Sequence, residues 1–231
     1  MDLSKYKIIL FDADNTLFDF SRAEREALSD TLRASGIEPT EERIEAYIAI
    51  NDRLWKRLER GEIEKDALRE ERFRELCEVF SFSASVSKLA GDYVEFLSRK
   101  AYLLEGAEEI CRSLAEKYRL YIVTNGIKTV QERRFSACEL KPFFEDLFIS
   151  EELGFEKPHR SYFDAVAARI SDFSPEHALI VGDSLTSDMR GGVNYGIDTC
   201  WYNPNGVENK QKLPITYQIR ALGDLIPLLL A

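Results

Sequence analysis

Four short apolar runs that stop abruptly at polar residues limit this chain more than any other feature. KIILF (7–11) has no helical period and ends in an acidic turn, which is how a strand buried on both faces reads. RLYIVTN (119–125), HALIVGD (177–183) and IDTCWYN (197–203) repeat the form. After RLYIVTN and HALIVGD come polar residues and then a helical segment. Strands alternating with helices predict a doubly wound α/β sheet. In such sheets chemistry gathers at the carboxyl ends of the strands, so the residues that follow each run are the candidates for function.

Between the first and second runs lies an insert, roughly 18–104, without a strand pattern. Ser21 followed by Glu24 reads as a capping box at a helix start. A second helix is expected from Thr40 to about Arg60, with Ile44, Tyr47, Ile48, Leu54, Trp55 and Leu58 at helical spacing and Gly61 as its stop. Amphipathic segments at about 63–80 and 84–100 complete an all-helical subdomain. No repeat or low-complexity stretch interrupts the chain, and NPNG (203–206) reads as a surface loop.

The first run delivers Asp12, Asp14 and Thr16. Two carboxylates two apart on an extended segment point the same way. Their crowded charges call for a cation or a proton, because like charges raise one pKa. Asp12 can attack an electrophile while Asp14 gives a proton to the leaving group, or both can serve a metal. An acidic turn that merely caps a helix has the same form. The second run delivers Thr124, Asn125 and Gly126, a hydroxyl and amides that can bond a phosphoryl oxygen or simply make a capped turn. In EKPH (156–159), Pro158 is expected to open a helix. Lys157 then sits at the positive end of a helix dipole, which implies either an anion nearby or a solvated side chain. GDSLTSD (182–188) adds Asp183 and Asp188, and the four acids form a hard oxygen-ligand set suited to magnesium. Each signal is weak alone, but one sheet would bring them all to a shared edge.

With 231 residues and 45% hydrophobic content the chain can bury a sizeable core, and its formal charge is −10. That charge repels polyanions, so neither a nucleic-acid polymer nor an anionic membrane is expected as a partner. A small anionic substrate needs a metal or local cations to hold it. Cys77, Cys111, Cys138 and Cys200 show no C-x-x-C spacing and make no zinc pattern with His159 or His177. Reduced, packed cysteines and a first apolar run too short for a signal peptide predict a cytoplasmic protein. The C-terminal apolar stretch, 225–230, is too short to span a bilayer.

FDADNTL (11–17), IVTNG (122–126), EKP (156–158) and VGDSLTSD (181–188) resemble the four motifs of the haloacid dehalogenase-like hydrolase superfamily. The likeness runs over nearly the whole chain, and the helical insert is similar to that family's first type of cap. FDADNTLF, the span from VTNG to ISEELGFEKP, and DTCWYN are similar to the YjjG-type pyrimidine nucleotidases. The resemblance implies a Rossmann-like core (1–17 and 105–231) and a helical cap (18–104) that closes over it. It implies that Asp12 attacks phosphorus to give an aspartyl-phosphate, while Asp14 protonates the leaving alcohol and then activates water. Thr124, Asn125 and Lys157 are the implied phosphoryl contacts. Magnesium is implied at Asp12, the main-chain carbonyl of Asp14 and Asp183, with Asp188 behind them.

The implied substrate is a small phosphate monoester, a pyrimidine nucleoside 5'-monophosphate first, with a sugar-phosphate phosphatase or a phosphomutase as alternatives. Asp14 argues against a dehalogenase, since a halide leaves without a proton. GDSL (182–185) also matches a serine-esterase signature, but that chemistry needs a late histidine, and both histidines precede Ser184. A phospho-receiver shares the acids, Thr and Lys, yet a large helical insert suits a lid better. For a flat base, Phe18, Phe20, Tyr47 and Trp55 are the stacking candidates; aromatics at helical spacing also read as core. Arg53, Lys56, Arg57 and Arg60 read mainly as a solvated helix face, and Arg22 and Arg25 share that ambiguity.

Overall fold

A computed structural model describes residues 5–230. Among these, six strands make one parallel sheet: β1 (Ile8–Phe11), β2 (Arg119–Thr124), β3 (Phe144–Ile149), β4 (Ala178–Gly182), β5 (Asp198–Tyr202) and β6 (Tyr217–Ile219). Their spatial order is β3-β2-β1-β4-β5-β6, so the chain winds one way from β1 and then returns to its other side. Helices α1 (Phe20–Ala34), α2 (Glu41–Glu59), α3 (Lys65–Phe80), α4 (Val86–Ser98) and α5 (Ala107–Ala115) separate β1 from β2. After β2 come α6 (Lys128–Ala137), α7 (Ser150–Leu153), α8 (Arg160–Ala167), α9 (Arg190–Tyr195) and α10 (Leu225–Leu229). The doubly wound α/β fold expected from the four runs is the fold found.

The described chain divides into two compact units, one made of everything up to Phe20 and from Ala101, the other of Ser21–Lys100. In the sheet unit, alternate β1 residues bury on opposite faces. Ile9 and Phe11 join Leu120, Ile122, Ile110 and Leu114, whereas Ile8 and Leu10 join Val123, Phe163 and Val166. Each such aliphatic or aromatic side chain contributes roughly 1.5–3 kcal/mol by leaving water. Burial on both faces is why the central strands read as unbroken apolar runs.

The edge strands do not read that way. β3 carries Glu145 and Asp146 in exposed positions, and Glu145 accepts from Arg119 at 2.8 Å and from the Tyr121 hydroxyl. At a sheet edge such acids stay solvated and discourage further strand addition.

The helical unit holds α1 to α4, with α2, α3 and α4 close to their expected spans. Its interior is a ring cluster of Tyr47, Phe73 and Tyr93, with centroids 5.1–5.6 Å apart. A buried polar chain runs beside it. Asn51 Nδ2 donates to Glu24 Oε1 at 2.7 Å, and Arg72 donates to Asn51 Oδ1 at 3.2 Å while lying 4.5 Å over the Tyr93 ring. This corrects the placing of the capping box: α1 begins at Phe20, so Ser21 is already helical, and Glu24 accepts from Asn51 of α2. Likewise α8 starts at Arg160 with His159 as its N-cap, and Pro158 precedes the helix. Cys111, Cys138 and Cys200 are buried free thiols, and Cys77 is half-buried. Among the described residues, no helix is long and apolar enough to cross a membrane.

Candidate active site

Three adjacent central strands end together. Phe11 of β1 pairs with Ile122 of β2 and Val181 of β4, and the Asp12 N–H donates to the Val181 carbonyl at 2.8 Å. Asp12, Thr124 and Asp183 therefore leave neighbouring strands at one carboxyl edge. Lys157 comes from the loop after α7, and its ammonium donates at 2.7 Å to each of Asp12 Oδ1, Asp188 Oδ1 and the Val123 carbonyl. An ammonium has three donors, and all three are used. Only 1% of this side chain is exposed, so its place is set by these bonds rather than by solvent.

Several neighbours hold this arrangement. The Asn125 amide donates to the Lys157 carbonyl and its Oδ1 accepts from the Lys157 N–H, both at 2.8 Å. A π-helical turn over Leu185–Met189 carries Asp188 inward, where Oδ2 accepts from the Ser184 N–H at 3.1 Å; such wide turns recur at functional sites. Gly182 is required beside it, because a Cβ there would come within 3.0 Å of the Asp188 carboxylate. The Trp201 indole N–H donates to the Asp183 carbonyl at 2.8 Å and fixes the turn that bears this acid.

One oxygen each from Asp12, Asp183 and Asp188 lies within 4.8 Å of the others. Burial, and then the Asp188 charge, push Asp12 up to about 7 despite Lys157. Asp183 is held well above the ordinary carboxylate range by burial first and by Asp12 and Asp188 after it. Burial alone would lower the Lys157 ammonium, but Asp12 and Asp188 more than offset this and the net shift is upward. With all groups ionised, three acids and one lysine leave a net charge of −2. A hard divalent cation matches both that charge and the all-oxygen donor set.

The sheet edge thus brings together Asp12, Thr124, Asn125, Lys157, Asp183 and Asp188. Asn125 binds the Lys157 main chain, a task the motif did not suggest. Asp14 is not one of the three clustered acids, although its charge acts on Asp12; its Oδ2 accepts from Gln131 at 2.5 Å and its Oδ1 from Arg134 at 2.7 Å. Phe18 is wholly buried in the sheet unit and Tyr47 wholly buried in the helical unit, while Phe20 and Trp55 keep some exposed surface. Arg22, Arg25, Arg53, Lys56 and Arg60 pair with nearby acids on the helical unit's surface. Ser184 Oγ caps the π-helical turn by accepting from the Ser187 N–H. Among the described residues no hydrogen bond joins Ser184 to either histidine, as an esterase would need. No strand-end motif singles out Gln131, Arg134 or Trp201 in the sequence; the one signal is that 131 and 134 share a helix face just after TNG.

The chain belongs to the haloacid dehalogenase-like hydrolase family, whose model matches residues 6–196. It is similar in structure to the HAD-hydrolase YfnB of Bacillus subtilis, solved bound to magnesium, with TM-score 0.93, 40% identity and coverage of 97% of this chain and 98% of that one. It is 40% identical over 222 residues to the pyrimidine 5'-nucleotidase PynA of Streptococcus pneumoniae, covering 96% of this chain and 94% of PynA. It is 30% identical over 225 residues to the pyrimidine 5'-nucleotidase YjjG of Escherichia coli, covering 97% and 98%.

Proposed function

We propose that this hydrolase cleaves small phosphate monoesters through an aspartyl-phosphate on Asp12, with pyrimidine nucleoside 5'-monophosphates as its leading substrates. The observation that carries the reading is the Lys157 ammonium, bonded to Asp12 and Asp188 beside Asp183 at one sheet edge. The two nucleotidase relatives support the substrate class.

The carboxylate of Asp12 attacks phosphorus while the bond from phosphorus to the leaving oxygen breaks, and Asp14 gives that oxygen its proton. In the second half, Asp14 takes a proton from water as the water attacks phosphorus. Inorganic phosphate leaves, and Asp12 and the Asp14 proton are restored. Thr124 and Lys157 hold the transferring group, and Lys157 offsets part of its charge. Magnesium would be held by Asp12, the Asp14 main-chain carbonyl and Asp183, with Asp188 behind them. When bound, it neutralises charge that would otherwise repel the anionic substrate. The helical unit, inserted directly after the acidic turn, serves as the cap that closes the site. Of the four aromatic candidates, Phe20 and Trp55 are best suited to meet a base, because Phe18 and Tyr47 are enclosed within their own units. Buried free thiols support a cytoplasmic location.

The test is phosphate release from a panel of pyrimidine and purine nucleotides, sugar phosphates and glycolytic phosphates, with magnesium and with EDTA. Preference for pyrimidine over purine nucleoside 5'-monophosphates is expected, with loss in EDTA. A flat profile removes the nucleotidase reading, and no phosphate release from any monoester removes the phosphatase reading.

A further inference from the structure

The guanidinium of Arg134 is fully buried, yet among the described residues only its Nη1 has a hydrogen-bond partner, the Asp14 carboxylate; Nε and Nη2 have none. It lies 4.5 Å over the Phe18 ring. A buried charge with two unpaired donors is costly to keep. An apolar side chain on Phe18 would serve packing at least as well, so packing does not explain why an arginine stands here. Gln131, one helical turn earlier on α6, is also buried and takes the other Asp14 oxygen. Its side chain reaches Asp14 by crossing Gly126, where a Cβ would come within 3.0 Å of the Gln131 amide. Three features therefore converge on one carboxylate: a donor on each oxygen and a glycine that leaves the path open.

We propose that Gln131 and Arg134 are positioning residues that set where the Asp14 carboxylate lies and which of its lone pairs remain for the substrate. This rests on the assignment of Asp14 as proton donor to the leaving group. An ionised carboxylate has about four acceptor directions, and α6 occupies one on each oxygen. The proton exchanged with the leaving oxygen occupies one of the remainder, so α6 aims the transfer without touching substrate. Aim matters only when the leaving group needs a proton. A ribose 5'-alkoxide does, whereas p-nitrophenolate departs readily without one.

The experiment compares kcat/KM, which reports through release of the leaving group, for UMP and p-nitrophenyl phosphate. Arg134→Met is expected to lower kcat/KM for UMP by about 100-fold, the low end of general acid catalysis, and that for p-nitrophenyl phosphate far less. Gln131→Leu should show the same selectivity more weakly. Gly126→Ala, which pushes Gln131 aside without removing it, should follow Gln131→Leu. Arg134→Lys should recover part of the UMP activity. Equal losses on both substrates, with a lowered Tm, would show Arg134 to be structural and overturn the proposal. Should Arg134→Met fold poorly, Gly126→Ala and Gln131→Leu carry the same comparison. Asp14→Asn is the reference. If it does not discriminate between the substrates, the proton-donor assignment itself fails; if it does while the α6 variants do not, only the positioning role fails.

Discussion

Each of the two units buries charge, and they do so differently. In the helical unit, Glu24, Asn51 and Arg72 form a chain in which one acid and one base are joined through an amide. At the sheet edge, Asp12, Asp183 and Asp188 face a single Lys157. The first set balances within itself. The second is over-supplied with acid, and burial first, then the Asp188 charge, raise the Asp12 pKa to about 7. Balanced buried charge is what a structural network requires, since an uncompensated ion inside a protein is expensive. Imbalance persists where a ligand completes the set, and on the proposed reading that ligand is a divalent cation with a phosphoryl group.

That contrast can be broken most sharply at Asp12, the proposed nucleophile. Asp12→Asn should reduce turnover by about 10^5-fold or more while the fold is retained, read by phosphate release and circular dichroism; residual activity near wild type would break it. Lys157→Ala should lower kcat by about 10^3-fold. It should also destabilise the metal-free protein by about 3 kcal/mol in urea unfolding, because Asp12 and Asp188 then face each other without a cation. Magnesium should return part of that loss.

The pH dependence sharpens the comparison further. Asp12 titrates near 7 in the folded chain against an ordinary value of 3.8, so folding favours its protonated form. Its stabilising contribution is complete below about pH 4 and lost as pH rises through about 7. In EDTA, wild type should lose Tm relative to Asp12→Asn across that window, and the gain from magnesium should grow over the same range. The smallest catalytic effect is expected in the balanced network. Arg72→Met should cost about 2 kcal/mol, since it strips Asn51 of a partner, and leave kcat/KM close to wild type.

The central strands could be read in the sequence because burial on both faces leaves an unbroken apolar run, as in Ile8–Phe11. β3 could not, because an edge strand tolerates exposed acids such as Glu145 and Asp146, which break the apolar run. Asp12, Thr124, Lys157 and Asp183 were legible because each lies in a motif at the end of a strand or just past a turn. The bonding of Asn125 to Lys157 was not, because it joins residues 32 apart through main-chain atoms. Arg134 was hidden for a different reason. On α6 it follows Glu132 and Arg133, and that run reads as solvated; its inward partners, the Asp14 carboxylate and the Phe18 ring, lie more than a hundred residues away in the sequence.

The most direct test of the account is to trap the covalent step. Enzyme turning over UMP labelled in its phosphate is quenched in acid, reduced with borohydride and mapped by mass spectrometry. The label should be bound to protein before reduction, and homoserine should appear at position 12 afterwards. Label on Ser184 or a histidine, or a protein that never carries phosphate during turnover, would contradict Asp12 as the nucleophile.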